Sequence, residues 1–269
     1  WPFAWHMQEN ESVEVVAVAN GVINYKQDGW QDQNCNGFDS VGDWNMVDIE
    51  HYDGSHTIYG HLKKYSLTEK IFGDTVYVGE YLGLVASSGK SEYPHLHFEV
   101  WEDYQGGYSL DPFYDIGSID ENMENCNQSN DESLWLNQKP YVDSAILRIM
   151  THSAPPEEQE CPEPYITNEK NVFGPGEIVY IGAYHRDHVL GQTSEWKIFN
   201  QDGELYDSWS DTFADALFLE ASEQMYNLIL PADTSAMGEW MIEIDFEGVP
   251  YEQLFTVGYS ELLVISEIN

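Results

Sequence analysis

The feature that most limits what this chain can fold into is its punctuation. Asn20-Gly21, Asp53-Gly54 and Asp202-Gly203 each sit between short runs of alternating apolar residues. Such dipeptides supply the positive φ that tight hairpin turns demand, and an apolar period of two is that of a half-buried strand. "VEVVAVA" (13–19) and "GVINYK" (21–26) flank the first, so a hairpin is expected there. "NMVDIEHY" (45–52) and "HTIYGHL" (56–62) flank the second. "GDTVYVGEYLGLVAS" (73–87) alternates between glycines, and "HLHFEVW" (95–101) reads as the next strand. No long helical period occurs in the first 115 residues, so 1–115 is read as an antiparallel β domain.

Residues 116–165 read as a loop-rich connector with one short helix over "VDSAILRIMTH" (142–152). His152 would close that helix, where its charge suits the C-terminal dipole. "APPEEQECPEP" (154–164) is a proline-rich linker. Over 166–269 the strand signals return, with a hairpin in "SEWKIFNQDGELYDSW" (194–209) about Asp202-Gly203. "MYNLILP" (225–231) and "GEWMIEIDFEGVPYEQLFTVG" (238–258) follow. Strands punctuated about every eight to twelve residues imply an Ig-like β-sandwich. The expected fold class is therefore all-β: an antiparallel β-sheet domain, then a sandwich. Trp196, Trp209 and Trp240 are read as sandwich core rather than sugar platforms. His185 and His188 in "YHRDHVLG" (184–191) are read as surface residues of a sandwich loop. The apolar end "ELLVISEIN" (261–269) reads as a strand leading toward a further domain.

Charge excludes some partners. Ten lysines and arginines face 48 acidic residues, a formal net charge of −38. Such a surface repels nucleic acid and anionic membranes. No run of about 18 apolar residues occurs, so no membrane-inserted helix is expected. The opening "WPFAWHMQ" carries core-like aromatics and no leader pattern, which points to processing or a longer native chain. Cys35, Cys126 and Cys161 are too few for a disulfide scaffold and show no C-x-x-C spacing. They allow one bridge with one cysteine left over, and Cys126 and Cys161 both fall in loop-like segments between the expected domains. Asp28, Asp32, Asp39 and Asp43 could hold calcium, but their spacing matches no EF-hand and a solvated loop is the favoured reading.

The chemistry concentrates in "PHLHFEV" (94–100). On a strand, residues two apart share a face, so His95 and His97 project side by side. Alone, the pair suits either a surface or a metal site, since neutral imidazole is a common zinc ligand.

Four stretches then line up: "VVAVANGVI" (15–23), "NMVDIEHYDGSHTIYGHL" (45–62), "GDTVYVGEYLGLVASSGKS" (73–91) and "PHLHFEV". In this order they resemble the lysostaphin/LytM-type zinc metalloendopeptidases, which cut peptidoglycan. The resemblance covers residues 13–101. It implies one zinc ion per peptidase domain, with His97 as a metal ligand and His95 and His61 as catalytic histidines. His51 is read as structural support for its hairpin. The resemblance further implies a secreted or cell-surface enzyme acting on peptidoglycan cross-bridges or glycine-rich proteins.

Two departures stand out. The family carries further ligands in an H-x-x-x-D motif before the first hairpin, where the short spacing lands on Pro2 and His6. Either that motif precedes Trp1 in a longer chain, or the site is degenerate or rebuilt on His6 with Glu9 or Asn10. A non-catalytic domain that binds cell wall or a partner is the alternative function. Glu92 and Tyr93 also replace small residues at the lip of the groove.

Overall fold

The computed structural model describes residues 8, 12–32, 44–91, 93–103, 107–113, 133–159, 163 and 165–259. Cys35, Cys126, Cys161, His6, Glu9, Asn10, Asp39, Asp43, Glu92 and the 261–269 segment lie outside them. The described elements are strands, with one 3-10 turn at Thr234–Ala236. The chain divides into two compact units, 1–141 with 158–166, and 142–157 with 167–269.

In the first unit the strands are β1 (Glu14–Val16), β2 (Gly21–Gln27), β3 (Met46–His51), β4 (His56–Gly60), β5 (Thr75–Val76), β6 (Tyr81–Leu84), β7 (His97–Trp101) and β8 (Ser109–Leu110). Six of them form one sheet in the order β5-β2-β3-β4-β7-β8, and β1 pairs with β6. Ile23, Val47, Ile49, Tyr59, Leu62, Val76 and Leu82 make the core on one face of this sheet. The opposite face of β3 and β4 is also buried and carries Asp48 at 1% exposure. A buried carboxylate must be hydrogen-bonded to be tolerated. Asp48 is held by His56 Nδ1 at 2.9 Å and accepts from Asn24 Nδ2 at 2.6 Å.

The β3–β4 hairpin turns at Asp53-Gly54 as expected, with Gly54 at φ 86°. The expected hairpin at Asn20-Gly21 does not form: β1 pairs with β6, while β2 pairs with β3 and β5. Gly21 is needed for close approach instead. A Cβ there would lie 2.4 Å from the Glu50 carbonyl oxygen and 2.5 Å from an Ile49 methyl.

The second unit comprises β9 (Ala145–His152), β10 (Val172–Phe173), β11 (Ile178–Val189), β12 (Thr193–Phe199), β13 (Leu205–Thr212), β14 (Phe218–Ile229), β15 (Gly238–Phe246) and β16 (Val249–Val257). A five-stranded sheet, β10-β16-β15-β12-β13, and a three-stranded sheet, β14-β11-β9, share one core. Trp196 and Trp240 sit in that core, 0% and 1% exposed, and half-buried Trp209 stacks on Trp196 at 5.3 Å. The hairpin about Asp202-Gly203 joins β12 to β13, with Gly203 at φ 75°.

Two expectations fail here. The segment read as a helix over 142–152 contains strand β9, which pairs with β11. Its β-branched residues gain more from the open edge of β11 than an isolated turn of helix could supply. His152 is accordingly buried, with Nδ1 at 2.7 Å from the Thr167 carbonyl.

His185 and His188 are also fully buried rather than on the surface. His185 continues the inward period of Val179, Ile181 and Ala183, and Asp187, at φ 49°, interrupts the alternation of β11 so that His188 turns inside as well. The imidazoles stack on each other at 4.5 Å, and His188 stacks on Phe213 at 4.1 Å. Burial pushes the His185 pKa down to about 3, and the neighbouring His188 adds to that effect. Burial lowers His188 too, against the pull of Asp211 and Glu247.

A histidine neutral in the folded state and ordinary in the unfolded one causes no loss above about pH 6.5. Each pH unit below that costs about 1 kcal/mol per histidine, until the folded pKa is reached. Denaturant unfolding of the second unit, followed by tryptophan fluorescence, is therefore expected to show stability falling between about pH 6.5 and 5. His185→Phe should flatten that slope; a wild-type curve flat over this range would contradict the assignment.

Candidate active site

The site is built on the pairing of β4 with β7, which sets Gly60 opposite His97. Along β7, His97, Glu99 and Trp101 share one face, and Phe98 and Val100 the other. β4 ends at Gly60, and His61 leaves it at φ 56° in the left-handed region. That strained step is held by its neighbours. The Leu62 N–H donates to the Asn45 carbonyl, and the Ala86 N–H to the His61 carbonyl, both at 3.1 Å.

A short bracket, Ala86–Ser88, serves two histidines at once. The His95 N–H donates to the Ala86 carbonyl at 3.0 Å. His61 Nδ1 lies 2.6 Å from the Ser88 carbonyl. The bracket is itself anchored: the Asn45 N–H donates to Ser88 Oγ at 3.0 Å, and Ser87 Oγ bonds Ser91 Oγ at 2.8 Å. Gly89, at φ 75°, makes the turn between them.

Three imidazoles converge as a result. The His61 ring centroid is 4.7 Å from His95 and 5.6 Å from His97. One ligand atom from each lies within 4.8 Å of the others, and among the described residues no carboxylate joins this group. Each ring has one nitrogen committed to an oxygen. His61 Nδ1 donates to Ser88 and His95 Nδ1 to the Tyr93 carbonyl at 2.8 Å. His97 Nε2 donates to Glu99 Oε1 at 2.5 Å. The remaining lone pairs are Nε2 of His61, Nε2 of His95 and Nδ1 of His97. This is the pattern of ligating and acid–base histidines, whose second nitrogen is fixed by an acceptor. Nitrogens sharing one tetrahedral zinc sit roughly 3.4 Å apart. A spread of up to 4.8 Å suits one ligand flanked by two bases better than three ligands on one ion.

Burial holds the His61 pKa down at about 4, and the other two imidazoles push the same way, so this ring is neutral. Glu99 stays ionised: its contact with His97 lowers its pKa, and the Trp101 indole, donating to Oε2 at 2.6 Å, adds to that against burial.

Residues 4–112 match the model of peptidase family M23. The chain carries an M23 peptidase domain. Over 90 residues, the chain is 37% identical to the DD-carboxypeptidase/endopeptidase Mpg of Neisseria meningitidis serogroup B. That alignment covers 34% of this chain and 17% of the relative. The Mpg of Neisseria gonorrhoeae is 36% identical over the same length. The chain thus spans about a sixth of the curated relatives it matches. The catalytic domain of the prophage-encoded M23 protein EnpA from Enterococcus faecalis is 27% identical, covering 38% of this chain and 68% of that one. Its TM-score of 0.30 is too low to bear on function.

Other expected residues fall away from the three-histidine cluster. His51 clamps two turns of chain, with Nδ1 at 2.9 Å from the Asn20 carbonyl and Nε2 at 2.9 Å from the Thr57 hydroxyl. It helps line a cavity of about 680 Å³ with Thr57, Phe98, Val100 and Trp135. Those strand residues point away from His97, so that cavity does not hold the chemistry. Asp28 accepts from the Gly29 and Tyr65 N–H groups, and Asp32 from Gln8, with no cation cluster around them among the described residues.

Glu99, Trp101, Asn45 and Trp44 are additions that the residue-by-residue reading missed. Glu99 and Trp101 were within reach, because the period of two that pairs His95 with His97 continues through them. Removing the acceptor behind a ligating histidine weakens metal binding by about 10–100-fold. Glu99→Ala is expected to lose metal affinity by that factor in a chelator competition, and Trp101→Phe by less. Unchanged affinity in Glu99→Ala would show that the carboxylate does not orient His97.

Proposed function

We propose that this chain is a zinc-dependent endopeptidase acting on peptide cross-bridges of peptidoglycan or on glycine-rich proteins, at the cell surface or after secretion. The observation that carries the reading is the convergence of three imidazoles, each with one nitrogen anchored and one free. His97, braced by Glu99, is the described residue that would hold the metal. Zinc, when bound, supplies a Lewis acid for the scissile carbonyl and acidifies water.

The remaining work falls to the protein's own groups. His95 is partly exposed and its free Nε2 can accept a proton from the attacking water. The same nitrogen returns that proton to the leaving amine as the carbon–nitrogen bond breaks, so the ring ends as it began. His61 keeps Nδ1 on Ser88, so its Nε2 is an acceptor that orients the water. A role for His61 as donor to the oxyanion does not suit this tautomer.

Three variants separate these roles. His95→Ala and His61→Ala are expected to keep zinc and to lose about 10²- to 10⁴-fold in kcat on a pentaglycine peptide or purified peptidoglycan. His97→Ala is expected to lose zinc. Undiminished cleavage by His95→Ala would sink the mechanism. Binding of peptidoglycan without turnover by the zinc-loaded wild type would favour a non-catalytic binding domain.

A further inference from the structure

Trp44 forms a wall of this site that none of the family-like blocks specifies. Its indole lies flat against Gly60: a Cβ there would meet Cζ3, Cη2 and Cε3 at 2.1, 2.5 and 2.6 Å. The ring stands edge-on to His61 at 4.8 Å and to His97 at 5.0 Å between centroids. At about 5 Å, T-shaped rings are in contact, so no side chain fits between the indole and either imidazole. Trp44 is half-buried. On the opposite side, Tyr93 flanks His95 at 5.6 Å. The reacting bond must lie among His61, His95 and His97, and a residue beside it on the His61–His97 side meets the indole first.

We propose that Trp44 sets the size of the residue accepted next to the cleaved bond. Glycine is admitted there, and branched or longer side chains are excluded by contact with the ring. Gly60 is part of the same device, because any larger residue would drive the indole into the imidazoles. This inference rests on the peptidase reading above.

The test uses the full, zinc-loaded chain and matched peptides. A pentaglycine substrate is compared with peptides carrying alanine or leucine on either side of the cleaved bond. Trp44→Ala is expected to raise the leucine-to-glycine ratio of kcat/KM at least about tenfold, the scale of one to a few methylenes in a pocket. Trp44→Phe, which keeps an aromatic filler and protects against loss of folding, should raise it by a smaller factor. Zinc per chain should not change in either.

If all peptides slow by one common factor, Trp44 only supports the imidazoles and the inference fails. It also fails if the wild type cleaves the leucine and glycine peptides equally well. In both cases the peptidase reading survives. A wild-type chain that holds zinc and cleaves none of the peptides overturns that reading, and the inference with it.

Discussion

The register of β4 against β7 is the constraint on which the site depends. With Gly60 opposite His97, the residue after Gly60 is the first that can swing out of the sheet toward the H-x-H pair. His61 does so at the cost of a left-handed backbone, which few non-glycine residues adopt without support. The support comes from Asn45 on one side and from Ala86 and Ser88 on the other. A slip of one residue would turn His97 and Glu99 into the apolar core and bring Phe98 into the site. The core residues Val47, Ile49 and Tyr59 on the neighbouring strands forbid it, so hydrophobic burial on one face fixes the chemistry on the other.

The two units bury imidazoles for different ends. For His61 in the first unit and His185 in the second, loss of water contact is the leading reason that the ring stays neutral, despite a chain rich in carboxylates. In the first unit His61 has an acceptor behind it and a lone pair in front, so its neutrality leaves a usable base. In the second, His185 and His188 stack with Phe213 and Phe246 nearby, and among the described residues no third ligand joins them. The same residue type is a candidate functional group in one unit and a packing element in the other.

Legibility followed the range of the interaction. The Asp53-Gly54 and Asp202-Gly203 turns were readable because a tight hairpin is decided by a few consecutive residues. Asn20-Gly21 has the same dipeptide character but a different cause. Gly21 is there because the chain passes against Glu50 and Ile49, and no local pattern reports that approach. The segment 142–152 misled for a related reason: its apolar residues fit a helix or a strand, and the edge of β11 decided between them. His188 was misplaced because one left-handed residue, Asp187, resets which side of the strand faces inward, whereas His185 simply continues the inward period of Val179, Ile181 and Ala183.

By itself the sequence determined an all-β chain, the shared face of His95 and His97, and the kinship of the N-terminal part. These rest on local periodicity and on motif order, which survive without knowledge of partners. Only the tertiary structure decided how His61 reaches the other two rings and which nitrogen of each ring is free. It alone brought Trp44 against both imidazoles and carried β9 into the second unit. Those outcomes depend on backbone groups and rings brought together from distant parts of the chain, and pairing geometry of that range is not encoded in any single stretch.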